Sequence, residues 1–174
     1  MAPVVAKLMA HTDPRRLVFA GIIWLACTSL IRVFWWTSGS DFWTLALPQL
    51  IQGAAIPFFF IPLTSIALGA VDEEETASAA GVMNFLRTMA GAIAVAVATT
   101  FWYDSAQEKR AALSGVLNGA QGSLDAMTTG GSSAEQARLM LSQLVDQESV
   151  ALATAQTFLV AAAIFALAAS IIWL

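Results

Sequence analysis

Two small groups of polar side chains sit inside otherwise apolar runs, and their spacing defines the chemistry open to this chain. Asn84, Arg87 and Thr88 lie three and four residues apart, which at about 100° per residue places them on one face of a helix. Gln49 and Gln52 are three apart and share a face in the same way. In water such groups are ordinary. In hydrocarbon an amide or a guanidinium needs a partner or a watery path, and such residues usually face a bundle interior. The two glutamines therefore read either as interhelical hydrogen-bond partners or as lining of a pathway. Arg87 reads either as a group that meets a substrate or as a tie between helix ends, through carbonyls or a carboxylate elsewhere.

Neither group makes a catalytic site, and no enzyme is expected. His11 and Cys27 are the single histidine and cysteine, too few for the common zinc ligand sets, so no metal site is expected. There is no Gly-rich phosphate loop followed by Lys and Ser or Thr, and no nucleophile–base pair. Asp41 and Asp72 stand at the edges of apolar runs, and no carboxylate lies securely inside one, so the chain shows no intramembrane proton relay of its own. With 8 Lys and Arg against 12 Asp and Glu, it has no basic surface for nucleic acid. Cys27, inside a run, reads as a small packed apolar residue.

The elements that position these groups are membrane helices. Of 174 residues, 58% are hydrophobic and 11% charged, where an ordinary globular domain carries roughly a quarter charged. Runs over about 17–36, 42–71, 77–103 and 150–174 are long enough to span a bilayer, leaving one extramembrane segment of any size, about 104–149. The fold class is all-α integral membrane with four transmembrane helices, and the lipid bilayer is the first partner. Asp13 and Pro14 suit a helix start as cap and first residue. Pro48, Pro57 and Pro62 interrupt the second run, and for Pro57 the opposed carbonyl belongs to Gly53, so the bend is expected there, as a fixed kink or as a hinge. Asp72 and Glu75 have capping-box spacing ahead of the third. One side of that helix carries Ala77, Ala80, Gly81, Asn84, Arg87, Thr88, Gly91 and Ala98, a small and polar face that permits close helix contact at Gly81 and Gly91.

In the segment 104–149, Asn118 to Ser133 is rich in Gly, Ser and Thr and reads as a loop. Ser132 and Glu135 repeat the capping-box spacing, and the stripe Ala137, Leu141, Leu144 reads as a face on the membrane surface, a contact for a partner protein or, the preferred reading, an outward extension of the last helix. Lys7, Arg15 and Arg16 favour a cytoplasmic N-terminus, and Trp35, Trp36, Trp43, Trp102 and Tyr103 then form one aromatic belt at the outer face. Arg32, just below that belt, is expected to snorkel outward past the tryptophans.

The order L-P-Q-L-I-Q-G, F-I-P-L-T-S-I-A-L, an acidic turn and A-S-A-A-G-V-M-N-F-L-R-T-M-A-G resembles the EmrB/QacA-type drug/proton antiporters, the fourteen-helix branch of the major facilitator superfamily. The opening A-K-L-M-A-H-T-D-P-R-R is similar to their cytoplasmic signature-like loop. The resemblance covers nearly the whole chain and corresponds to the last four helices, in the C-terminal half of the fold. It implies export of amphipathic small molecules by alternating access, with no cofactor and the proton gradient as energy source, from the bacterial cytoplasmic (inner) membrane. It further implies the missing N-terminal helices of the same transporter as partners and, in Gram-negative members, a periplasmic adaptor and an outer-membrane channel. Matched by position, Pro48, Gln49, Gln52 and Gly53 fall on the family's helix toward the central region, Pro62, Leu63 and Thr64 on its second stretch, and Asn84, Arg87 and Gly91 on the polar face of the next helix. The chain departs from the pattern at Ala6, Ala10, Ala55, Ala94 and Gln156.

On this reading Met1 is an internal methionine, and the chain alone is expected not to transport. Two other readings stand beside it: an exporter of the same fold dedicated to one metabolite or siderophore, and a non-transporting four-helix membrane scaffold with Asn84 and Arg87 as interhelical glue.

Overall fold

The computed structural model describes residues 2–37, 39–119 and 133–172. Among these residues five α-helices follow one another: α1 Ala2–Met9, α2 Pro14–Trp35, α3 Phe42–Leu68, α4 Thr76–Gly119 and α5 Ala134–Ile171, with a 3₁₀ turn Glu73–Glu75 leading into α4. The last four α-helices are each long and apolar enough to cross a membrane.

The starts of these helices follow local chemistry. Before α2 the Asp13 carboxylate accepts from the Arg15 backbone N–H at 2.9 Å, and Pro14 occupies the first turn, where its missing donor costs nothing. The box expected at Asp72 and Glu75 does not form. Asp72 makes no side-chain cap bond, its carbonyl accepts from the Glu75 backbone N–H in a 3₁₀ turn, and the Thr76 hydroxyl donates to the same carbonyl at 3.2 Å. The second expected box is displaced by one residue: Ser133 caps α5, its hydroxyl accepting from the Gln136 N–H while the Gln136 side chain accepts from the Ser133 N–H. Ser132 and most of the expected loop, 120–132, lie outside the described residues.

Helix α2 is the hub, packing against both α3 and α5, while α4 packs on α5 and barely meets α3. Val18 and Ile22 of α2 and Ala169 of α5 form the core, with Phe19, Phe59 and Phe165 against them. Helix α1 leans on α3 and buries Val5 completely. Helix α3 stays helical through all three prolines, and Pro48 and Pro62 are buried. A proline inside a helix leaves an unmatched carbonyl and a local bulge, and here those positions lie on the packed side.

Helices α2 and α3 approach closely at Gly21 in α2. A Cβ there would lie 2.9 Å from the Phe59 backbone nitrogen and 3.0 Å from the Phe58 carbonyl carbon. Gly81 and Gly91, expected to permit close helix contact, have nothing within 4 Å of a built Cβ in this chain, and neither does Gly53. Cys27 also departs from expectation, being exposed on the outer side of α2 rather than packed.

Helices α4 and α5 are longer than a bilayer requires. At about 1.5 Å per residue, the 44 residues of α4 reach roughly 66 Å and the 38 of α5 roughly 57 Å, against a hydrocarbon core of about 30 Å. The two are joined side by side by the Trp102 indole N–H donating to the Thr154 hydroxyl at 3.0 Å and by the Arg110–Asp146 ion pair at 2.8 Å. Residues 104–119 and 134–149 are thus helical continuations of two spans, and the stripe residue Ala137 is fully buried.

Candidate functional site

The polar groups inside the spans divide into two clusters. The first centres on Arg32, one turn before the end of α2. Its side chain turns inward, not outward past the tryptophans, and the residue is only 3% exposed. An Nη2–H donates to the Gln49 side-chain oxygen of α3 at 2.6 Å. The guanidinium carbon lies 4.8 Å from the centroid of Phe158 of α5 and 5.2 Å from that of Trp36, and these two rings meet edge to face at 5.1 Å. Trp36 is itself anchored by its indole N–H, which donates to the Thr44 carbonyl at 3.3 Å. One cation therefore gathers three helices. Gln49 here accepts a hydrogen bond from the neighbouring helix α2.

Nearby hydroxyls of α2 are satisfied locally. Ser29 donates to the Leu25 carbonyl at 2.9 Å, and Thr28 donates toward the Leu25 and Trp24 carbonyls. Two buried polar side-chain atoms have no partner among the described residues, Arg32 Nε and the Gln156 oxygen. Such atoms are uncommon in well-packed interiors, where buried polar groups are nearly all hydrogen-bonded. Arg32 was legible as an intramembrane charge, but its inward turn depends on Phe158, which is far away in sequence.

The second cluster lies between α3 and α4. Arg87 Nη2 donates to the Thr64 hydroxyl at 3.2 Å, and its guanidinium carbon lies 4.7 Å from the centroid of Phe60. This ties the two helices where they otherwise scarcely meet. The Thr88 hydroxyl donates back to the Asn84 carbonyl at 2.9 Å, within α4. The Asn84, Arg87 and Thr88 residues are exposed, while Gln52 of α3 is half-buried. Beside this cluster a cleft of about 650 Å³ opens between the end of α3 and the start of α4, its walls including Leu68, Val82, Met83 and Leu86, with Glu74 and Glu75 at one side. The structure thus brings Gln49 to Arg32 and Arg87 to Thr64 but does not join the two clusters. No three His, Cys, Asp or Glu side chains gather as a metal site among the described residues.

Four apolar helices carrying buried and interhelical charge define a multi-pass helical membrane protein. The chain is 30% identical over 177 residues to the multidrug export protein EmrB of Escherichia coli strain K12, an alignment covering 99% of this chain and 35% of that protein. It is 36% identical over 104 residues to the EmrB multidrug export protein of Haemophilus influenzae, covering 60% of this chain and 20% of the relative. It is 32% identical over 113 residues to the fatty acid resistance protein FarB of Neisseria gonorrhoeae, covering 65% and 21% respectively. Along nearly its whole length the chain is thus similar to part of the EmrB multidrug export protein. It spans about a third of the length of the first of these relatives. No protein-family model matches the chain, and no solved structure matches it significantly.

Proposed function

We propose that this chain supplies four membrane helices, from the C-terminal half of the fold, to a proton-driven exporter of amphipathic compounds that works by alternating access. The observation that carries the proposal is the match to a multidrug export protein along 99% of the chain. The polar groups support it, since Arg87, Asn84 and the glutamines stand in helices that would otherwise present only hydrocarbon to hydrocarbon. No carboxylate lies inside the four spans, so the proton-carrying group belongs to helices beyond these, and the chain alone does not transport. The bacterial inner membrane is its location, with the N-terminus cytoplasmic and the long α4–α5 extensions on the outer side, where a periplasmic adaptor and an outer-membrane channel would continue the route.

The first test is the DNA upstream of codon 1. An in-frame extension encoding about ten further apolar spans supports the reading, and a stop codon beside a functional start at Met1 refutes it in favour of a free-standing scaffold. Reconstitution gives the second test. The purified chain in liposomes is expected to move neither dye nor protons. In the intact transporter, Arg87→Ala is expected to reduce dye efflux at unchanged membrane abundance. If abundance falls with efflux, the contacts of Arg87 with Thr64 and Phe60 serve packing alone.

A further inference from the structure

The seam between α4 and α5 carries a groove that neither polar cluster uses. Two cavities open along it, of about 220 Å³ and about 330 Å³, and they share Trp102 and Tyr103 as walls. The larger runs toward the membrane side, down to Ala98 of α4 and Phe158 of α5. Its wall is mostly hydrocarbon, because the hydroxyls of Thr154 and Thr157 are already engaged: Thr154 accepts from Trp102 and donates to the Val150 carbonyl, and Thr157 donates to the Ala153 carbonyl. The smaller cavity continues past the two rings to Arg110 and Asp146. From residue 98 to residue 110 the helix rises roughly 18 Å at about 1.5 Å per residue, close to half of a hydrocarbon core about 30 Å thick. The groove is therefore about one leaflet deep, and its aromatic walls are of the type that settles at headgroup level.

The upper end carries both signs of charge. Arg110 Nε meets one oxygen of Asp146 at 2.8 Å, and Nη2 donates to the other at 3.4 Å. One edge of the guanidinium is thereby taken, while Nη1 makes no bond to a described residue. The Asp146 oxygens keep further lone pairs for a donor, and both side chains are partly exposed. A phosphate can take the outer edge of the guanidinium through two parallel N–H bonds, and a primary ammonium can donate to Asp146. A purely anionic amphiphile would meet Asp146 as a like charge, and a purely cationic one would meet Arg110. A cation and an anion side by side at the mouth of an apolar groove match a zwitterionic head on a hydrocarbon tail.

We propose that this groove holds one phospholipid whose head joins a phosphate to a primary ammonium, phosphatidylethanolamine, with an acyl chain along Ala98 and Phe158 and the head on Arg110 and Asp146. Binding requires only that α4 and α5 cross a bilayer, and it stands apart from the exporter reading.

The test uses the full chain in dodecylmaltoside and native mass spectrometry, titrating dioleoyl phosphatidylethanolamine against phosphatidylcholine and phosphatidylglycerol of the same chains. One phosphatidylethanolamine per chain is expected to be retained. The other two are expected to bind at least about tenfold more weakly, since the choline head has no N–H for Asp146 and the glycerol head has no cation. Asp146→Asn is expected to erase the preference for the ethanolamine head over the choline head, and Arg110→Gln to weaken retention of all three lipids. Ala106→Phe leaves both charges in place, fills the smaller cavity, which Ala106 lines, and is expected to abolish retention. Equal retention of the ethanolamine and choline lipids by the wild type overturns the site, and so does an unchanged preference in Asp146→Asn. Displacement by water-soluble phosphoethanolamine also overturns it, because the head alone would then suffice. If a variant fails to fold by circular dichroism and size-exclusion chromatography, the comparison of the three lipids on the wild type decides alone. Absence of any retained lipid in the wild type refutes the site and leaves Arg110 and Asp146 as a contact for a protein partner, with the exporter reading untouched.

Discussion

Gly21→Ala is expected to separate α2 from α3. The added methyl would stand 2.9 Å from the Phe59 backbone nitrogen and 3.0 Å from the Phe58 carbonyl carbon, about half an ångström short of ordinary contact. Both neighbours are main-chain atoms of a helix, so no side-chain rotation relieves the clash and the helix axes must move. Overpacking of this kind costs about 1–3 kcal/mol, and the rigid neighbour argues for the upper end. Alanine recovers about 1 kcal/mol of helix propensity, leaving a net loss of about 2 kcal/mol. For a chain of this size that corresponds to a fall in Tm of roughly 4–8 °C. The assay is thermal unfolding of the chain in detergent, followed by circular dichroism, with Gly53→Ala, Gly81→Ala and Gly91→Ala as controls. Nothing lies within 4 Å of a Cβ at those three positions, so each control is expected to be neutral or stabilising by up to about 1 kcal/mol. If Gly21→Ala melts within a degree of the controls, the close crossing of α2 and α3 is wrong.

Two further substitutions separate the bonds that join α4 to α5. Trp102→Phe keeps an aromatic ring, though a smaller one, and removes the N–H that reaches Thr154 at 3.0 Å, and is expected to cost at least about 1 kcal/mol in the same melt. Arg110→Ala removes an ion pair whose side chains are 60% and 47% exposed. It is expected to cost less than the tryptophan change, at most about 0.5 kcal/mol, with the difference vanishing at high salt. A larger loss at Arg110 than at Trp102, persisting at high salt, would show that the extension beyond the aromatic belt is held mainly by charge.

Much of the fold was legible because the bilayer imposes a strong rule: apolar runs of sufficient length become helices, and only their ends and crossings remain open. Asp13-Pro14 marked the start of α2 correctly because capping is a local bond between neighbours. The box at Asp72 failed because its spacing equally suits a 3₁₀ turn, in which the backbone takes the bonds that the carboxylates would have accepted. Gly21 was not legible at all. Its neighbours Ala20 and Ile22 give it no mark that Gly53 lacks, and its role arises from where two helices cross. Cys27 illustrates the same limit, since a span has a lipid side as well as a packed side, and composition does not say which one a small residue takes.

The polar sites show why residue type outran residue geometry. Gln49, Arg87 and Thr88 were recognisable as groups that hydrocarbon would reject, yet Arg32 was assigned outward because it stood near the belt. The magnitudes favour the inward turn. A guanidinium in mid-membrane costs about 3 kcal/mol on insertion scales, and less near a helix end. A charge-assisted hydrogen bond such as that to Gln49 returns about 1.5–3 kcal/mol, and each desolvated cation–π contact about 1–2 kcal/mol. With Gln49, Trp36 and Phe158 all within reach, the inward position at least balances its cost without a carboxylate. Snorkelling would instead spend the stem's entropy to reach water beyond Trp35 and Trp36. An arginine near a membrane surface turns inward wherever a neighbouring helix offers an acceptor and a third offers a ring, and that offer is made only when the helices have packed.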